Sequence, residues 1–363
     1  MRRNAWVLLG GPPEAPGGLA GPPPRSRREV DLSLVRSLDW PAPMLLKVLY
    51  HGNCFDGCVS AALFSRFFAE HEGKDTITAF QPLQHKDGDP FPPGAFDGDV
   101  NACVDFRFSP SPDLHWWFDH HASAFQPASD RAYFESDRSG RKFWDPTAPS
   151  CAGLIARTLE ARFGWSAPDR ADLLRWADVI DAARFPSAAM AVRLEEPALR
   201  IMALVEATRD PALPTRLIEA LRFGDLHQIA SERFVADPLA PILERHFSST
   251  ERMRQLARLR GGVVEIDLSE SGIEGASKFI AYDLFPQARY AVVISVDAKR
   301  SKVSVGSNPW STTRREHDIS KICEKYGGGG HPAVGAVSLD PDRLLDARRI
   351  AREIAEMLRE EHT

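Results

Sequence analysis

Residues 45–68, LLKVLYHGNCFDGCVSAALFSRFF, decide the fold. Leu45–Tyr50 is an apolar, strand-like run, His51–Gly57 is polar and glycine-containing, and Val59–Phe68 has helical spacing. Strand, polar strand end and helix together make the repeating unit of an α/β layer on a parallel sheet. The pattern continues downstream. Val100–Phe106 reads as another strand and Leu114–Phe118 as a short third one, followed by helices over Cys151–Phe163 and Arg170–Ala183. In open α/β sheets ligands gather at the carboxyl ends of strands, so His51, Asp56, Asp105 and Asp119 stand where a site is expected.

Residues 187–260 carry helical apolar spacing throughout and read as a helical connector. Gly261-Gly262 interrupts it, and a second α/β unit begins. Val263–Leu268, Tyr290–Val296 and Lys302–Val305 are strand-like, with Ala298–Ser301 as the turn of a hairpin. A helix from about Asp318 to Tyr326 leads into Gly327–Gly330, and Asp340 or Asp342 can cap a closing helix that carries Leu344, Leu345, Ile350, Ile354 and Leu358. The expected architecture is α/β, with a parallel-sheet domain over 44–186, the connector over 187–260 and a smaller α/β domain over 261–363. Residues 1–43 read as a tail: six prolines and five glycines between Gly10 and Pro24 leave little apolar surface to offset the entropy of ordering. Two explanations of the tail stand side by side, a flexible extension and a natural product that begins at Met44.

A chain of 363 residues with 43% apolar content can bury a substantial core and suits two domains better than one. A net charge of -5 excludes a globally basic nucleic-acid binder but not a local basic groove. Between Lys299 and Lys325 seven Lys or Arg stand against three acids, a local excess that can attract a polyanion, with a solvated charged face as the commoner explanation of such a run. Five cysteines, an odd and sparse set, suit a reducing compartment better than a disulfide framework. No apolar run approaches the ~18–20 residues of a membrane span, and Ala5–Leu9 is too short for a signal-peptide core. The expectation is a cytoplasmic protein without membrane association, a monomer or a homodimer.

The candidate chemistry lies in separated segments. His51 and Asp56 follow the first strand, Asp105 ends the next, and Asp119, His120 and His121 end the third. Asp181 follows a helical run, with Asp178 as its competitor. Carboxylate with imidazole is the ligand mix of Mn²⁺, Fe²⁺ or Zn²⁺, whereas an all-oxygen set points to Mg²⁺ or Ca²⁺. Adjacent histidines on an extended segment face opposite ways, so His120 and His121 divide their roles: one takes metal and the other meets a phosphate oxygen. Gly328, Gly329 and Gly330, followed by His331, offer backbone N–H groups and an imidazole to a phosphate. Asn308 suggests an amide contact to substrate, and Trp310 beside it is placed to stack a base.

His51–Ser60 (HGNCFDGCVS), Val104-Asp105-Phe106, Phe118-Asp119-His120-His121 and Asp181-Ala182-Ala183-Arg184-Phe185 resemble the four motifs of the DHH phosphoesterases, in order. Gly328–Gly335 (GGGHPAVG) resembles the signature of their DHH-associated C-terminal domain. The resemblance implies a metal-dependent phosphohydrolase using Mn²⁺ or another divalent transition metal, one ion or two. It implies His51, Asp56, Asp105, His120 and Asp181 as ligands and Asp119 as the partner that orients a histidine. His121 would then face the phosphate, and Gly328–His331 would bind substrate. The implied substrates are short single-stranded oligonucleotides or nucleotide-like phosphodiesters. An exopolyphosphatase-type hydrolase, and a non-catalytic phosphate or nucleotide sensor, remain as alternatives. One departure bears on the ion count. Catalytic members carry two first-motif aspartates, whereas here Asp56 stands alone, with Asn53 and Cys54 in the region of the missing acid. Cys54 suits either a softer metal or simple packing. The HGNCxDG variant resembles a subfamily of phosphohydrolases or exopolyphosphatase-related proteins.

Overall fold

The structure is a computed structural model that describes residues 43–71, 75–86, 88–273, 277 and 279–360. The tail expected over 1–43 lies, apart from Pro43, outside the described residues. Met44–His51 forms β1, and Phe55–His71 forms α1. With β2 (Thr76–Leu83), β3 (Val100–Val104), β4 (Trp116–Asp119) and β5 (Lys142–Trp144), β1 builds a five-stranded sheet in the order β2-β1-β3-β4-β5. Every pairing in it is parallel. The chain moves from β1 outward to β2 and then returns to the other side of β1 as β3. The order therefore reverses between β1 and β3, which is where a crevice opens at the strand ends.

Period-two patterning fills both faces of this sheet. Leu46, Val48, Tyr50, Ala102, Val104, Trp116 and Phe118 turn to one core with Phe64 and Phe67 of α1. Leu49, Cys103 and Trp117 turn to the other, under Phe106, Phe108 and Leu114. The first face is closed by α1, α3 (Cys151–Phe163), α4 (Ala171–Asp181) and the helices that follow. The second is closed by loops and α2 (Ala128–Ser136), which brings Phe134 against Trp117.

The expected connector contains α5 (Ala188–Arg193), α6 (Pro197–Ala207), α7 (Leu213–Leu221), α8 (Leu226–Ser231) and α9 (Arg233–Leu256). Its last residues behave differently. Arg258–Arg260 is β6, paired antiparallel to β7 (Val263–Asp267) across the turn at Gly261-Gly262. That strand opens a second, mixed sheet, which also holds β8 (Tyr290–Val296), β9 (Ser301–Ser307), β10 (Gly329–His331) and β11 (Val334–Leu339), in the order β10-β11-β9-β8-β7-β6. Short helices α10 (Ile280–Leu284) and α11 (Ile319–Glu324) and the closing α12 (Leu344–Arg359) complete it. Ala347, Ile350, Ile354 and Leu358 of α12 are buried, while Leu345 is exposed. Neither Asp340 nor Asp342 caps α12: the cap position is Arg343, without a side-chain bond to the helix.

The second sheet is fastened to the first unit's helices by a shared apolar cluster that includes Val192, Met253, Val264, Ile266, Ile280 and Tyr282. Trp310 belongs to this seam. Its ring lies 5.3 Å from that of Phe279, and its indole N–H donates to the Phe185 carbonyl at 2.7 Å. The base-stacking role expected for Trp310 therefore gives way to packing. Trp310→Ala is expected to destabilise the fold by about 2–4 kcal/mol, somewhat under the range for a fully buried tryptophan. A lowered denaturation midpoint would register it; an unchanged one would return the ring to substrate.

Candidate metal centre

His51, Asp56, Asp105, Asp119, His120, His121 and Asp181 converge at the carboxyl ends of β1, β3 and β4, where the strand order reverses. Local chain geometry sets each one. β3 ends at Val104, and Asp105 takes a left-handed backbone (φ 55) while its N–H still donates to the Phe118 carbonyl at 2.9 Å. Such a conformation is uncommon outside glycine and least costly for Asp and Asn, and it turns a wholly buried carboxylate into the crevice. Asp56 stands in the first turn of α1. Its carboxylate accepts from the Cys151 and Ala152 N–H groups at 2.6 and 3.0 Å, the open amides at the start of α3. That turn can approach β1 because residue 57 is glycine: a Cβ there would meet the His51 carbonyl oxygen at 2.2 Å.

The two histidines turn to different partners. His120 Nδ1 lies 3.0 Å from the Ala148 carbonyl, which makes Nδ1 the donor and turns Nε2 inward. There Nε2 stands 3.3 Å from Asp181, 3.6 Å from Asp105 and 3.8 Å from Asp56. His121 Nδ1 is held by Asp119 at 2.7 Å, and the same oxygen accepts the His120 and His121 N–H groups. Asp119 Oδ1 therefore orients His121, while its Oδ2 is buried without a hydrogen-bond partner among the described residues. Asp105, His120 and His121 also form a group able to hold an ion, yet the Asp119 bond occupies the His121 nitrogen nearest Asp105. Asp178 accepts instead from Ser150 Oγ at 2.6 Å, and Ser150 caps α3, so the fourth segment presents Asp181.

The donor atoms fit a metal ion. Both Asp105 carboxylate oxygens, His120 Nε2 and His51 Nδ1 are buried without a hydrogen-bond partner among the described residues. Such orphans are rare in a settled fold. Donor separations of 3.3–3.8 Å are long for hydrogen bonds but close to the ~3.0–3.4 Å between neighbouring ligands about 2.1 Å from one ion. Charge agrees. Burial pushes the Asp56 and Asp181 carboxyls above their usual range, and the Asp105 charge pushes both further. Burial would also lower His120, but the facing carboxylates outweigh it and hold the imidazole up at about 10. Asp105 is likewise opposed by burial, yet His120 and His51 hold it down at about 2. The excess of carboxylates over imidazoles at this point favours a cation among them.

A pH dependence follows. An incoming ion displaces the His120 proton, so binding near neutral pH should release at least about one proton per ion. Affinity should then fall roughly tenfold for each unit of acidification. Calorimetry in buffers of different ionisation enthalpy reads this directly, and binding without proton release would remove His120 from the ligand set.

Other expected residues lie elsewhere. Asn308 is buried, its amide donates to the Pro286 and Ala288 carbonyls, and its oxygen accepts the Trp310 N–H. It brackets a turn and has no group left for substrate. Gly329, Gly330 and His331 form the edge strand β10 of the second sheet, with Gly328 just before it, rather than a free loop. A Cβ on Gly328 or Gly330 would strike the backbone of β11, at 2.2 Å from the Ala336 oxygen and 2.3 Å from the Val334 oxygen. Around Gly329 there is open space, and His331 is exposed.

One neighbour was missed in the sequence. His85, just past the end of β2, lies with its ring 4.8 Å from that of His51 and 6.4 Å from that of His121. It stacks on Phe106 at 4.6 Å. The signal that could have found it is Gln84-His85 at the carboxyl end of a fourth strand.

Neither a protein-family model nor a curated protein sequence matches the chain. Solved structures do. The chain is similar to a pGpG-specific phosphodiesterase, PggH from Vibrio cholerae, at TM-score 0.61 and 19% identity, covering 87% of this chain and 98% of that one. It is also similar to the DHH domain of a member of the s1p family of ribosomal proteins, at TM-score 0.53 and 13% identity, covering 88% of each. The chain has the DHH fold. Three of the four segments that resemble DHH motifs stand at strand ends of one sheet and the fourth at the end of α4, and the described residues include no helix long and apolar enough to cross a membrane.

Proposed function

We propose that this chain is a metal-dependent phosphoesterase acting on short phosphodiesters of the nucleotide type. The observation that carries the reading is the set of buried, partnerless donors on Asp105, His120 and His51 at the strand-order reversal. The His/Asp donor set suits Mn²⁺, with His51, Asp56, Asp105, His120 and Asp181 as its holders. A bound divalent ion would supply a nucleophilic water near neutral pH and offset phosphoryl charge.

The remaining steps belong to the protein. His121 is about one-third exposed and is held by Asp119 at Nδ1, so its Nε2 is free to donate to a non-bridging phosphate oxygen as charge develops there. His85, just past the end of β2, stands near it as a second donor. The exposed His331 and the backbone of β10 would hold a more distant phosphate or base. His331→Ala and Gly329→Val should therefore raise KM with metal content unchanged. Gly329 is the clean glycine probe, because Gly330→Val would break the hairpin instead.

The likeness to a pGpG phosphodiesterase supports a linear dinucleotide as first choice. One preparation assayed with a linear dinucleotide, a cyclic dinucleotide, a bisphosphorylated nucleoside and inorganic polyphosphate tests it, with Mn²⁺ present. Preferred cleavage of polyphosphate would replace the nucleotide reading with an exopolyphosphatase. The lone first-motif aspartate, Asp56, favours a second reading, a phosphate or nucleotide sensor. Tight binding of these ligands without turnover, even of an activated nitrophenyl diester, would establish that one.

A further inference from the structure

We infer that Cys54, with His51 and Asp105, forms a separate thiolate metal position that takes a borderline-soft ion such as Zn²⁺ in preference to Mn²⁺. The inference rests on the metal-centre part of the reading above and adds a second ion of different chemistry. Cys54 Sγ, a His51 ring nitrogen and an Asp105 oxygen lie within 4.8 Å of one another. Asp56, His120 and Asp181 make their own group within the same limit.

Asp105 stands between the two groups and divides its oxygens. Oδ2 faces His51 Nδ1 at 3.5 Å, and Oδ1 faces His120 Nε2 at 3.6 Å. Among the described residues neither oxygen has a hydrogen-bond partner, and His51 Nδ1 has none either. A wholly buried carboxylate that aims one orphan oxygen at each group is arranged as a bridge between two cations.

The position of Cys54 is held rather than incidental. Asn53 before it adopts a left-handed backbone (φ 55). Its amide donates to the Val205 and Thr208 carbonyls, and its oxygen accepts from Gln84 at 2.9 Å. This clamp fixes the direction in which residue 54 leaves β1 and enters α1. Residue 54 is also where an oxygen-bearing cap is favoured, and cysteine is a weak hydrogen-bonding substitute. Cys58, Cys103, Cys151 and Cys323 are buried, whereas Cys54 is only partly so. Sulfur in place of oxygen biases a site toward softer ions, away from Mn²⁺ and Mg²⁺.

The experiment titrates the whole protein and its Cys54→Ser and Cys54→Asp variants with Co²⁺ under reducing conditions, then with Zn²⁺ and Mn²⁺. In the unsubstituted protein a second equivalent should bring a near-ultraviolet sulfur-to-cobalt charge-transfer band. Cys54→Ser should lose that band and weaken Zn²⁺ binding at that equivalent by roughly tenfold or more. The first equivalent should persist and report that the fold is intact. Cys54→Asp should regain the second equivalent with Mn²⁺ now preferred. A band that survives Cys54→Ser, or a first equivalent that binds with no second and no band, overturns the thiolate position alone. No Co²⁺ bound by the unsubstituted protein overturns the phosphoesterase reading along with it.

Discussion

Asp105→Asn is expected to abolish metal binding and hydrolysis together. Asparagine tolerates the left-handed backbone at this position, so the substitution removes charge and ligand strength without refolding the strand end. What goes is the carboxylate that faces both His51 and His120. The expected loss in kcat/KM is about 10³-fold or more, at or above the effect of deleting one transition-state donor. The matching physical readout is thermal. Mn²⁺ should raise the melting temperature of the unsubstituted protein by binding only its folded state, and should leave that of the variant unmoved. An active variant with a normal metal-induced shift would remove this centre from the reaction.

His121→Ala should separate chemistry from metal retention. The side chain is held through Asp119 and one-third exposed, so its loss should leave metal stoichiometry intact and lower kcat by about 10²–10³-fold. A variant that instead lost an ion would place His121 among the ligands, a role its distance of 3.9 Å from Asp105 leaves open to a rotated ring. Asp119→Asn should mimic part of the defect, since its oxygen fixes the His121 tautomer.

β1, β3 and β4 of the first sheet were readable because each sits where a hydrophobic run meets a polar residue, whereas the three-residue β5 is too short to leave a pattern. Leu45–Tyr50 into His51 and Trp116–Phe118 into Asp119 are abrupt changes that no other fold element produces so cleanly. β2 was not legible. TITAFQPL carries Pro82 and stays half-exposed along its length, as an edge strand does, so its alternation is blurred. With β2 went His85. Asn308 and Trp310 were misassigned for a different reason: polar and aromatic residues near a glycine-rich segment look like substrate contacts, and only the packing reveals that Asn308 is spent on three backbone groups and Trp310 on Phe185. The glycines at 328 and 330 were recognised as special, but close passage of β11 requires them, whatever binds there.

The Trp310 indole bond to the Phe185 carbonyl has a thermodynamic corollary. Phe185 closely follows Asp181, on the short stretch that leaves α4, while Trp310 rides on the second sheet beyond β9. That hydrogen bond and the edge-to-face contacts of Phe279 with Phe185 and with Trp310 join the sheet to the segment carrying a proposed ligand, so a displacement of one should be felt by the other. Occupancy of the two ends should then be coupled, and coupling between binding equilibria is reciprocal. A non-hydrolysable substrate that tightens Mn²⁺ binding by some factor must itself be bound more tightly by that same factor when Mn²⁺ is present. Substituting Trp310 by phenylalanine, which keeps the ring and deletes the N–H, should shrink both factors equally.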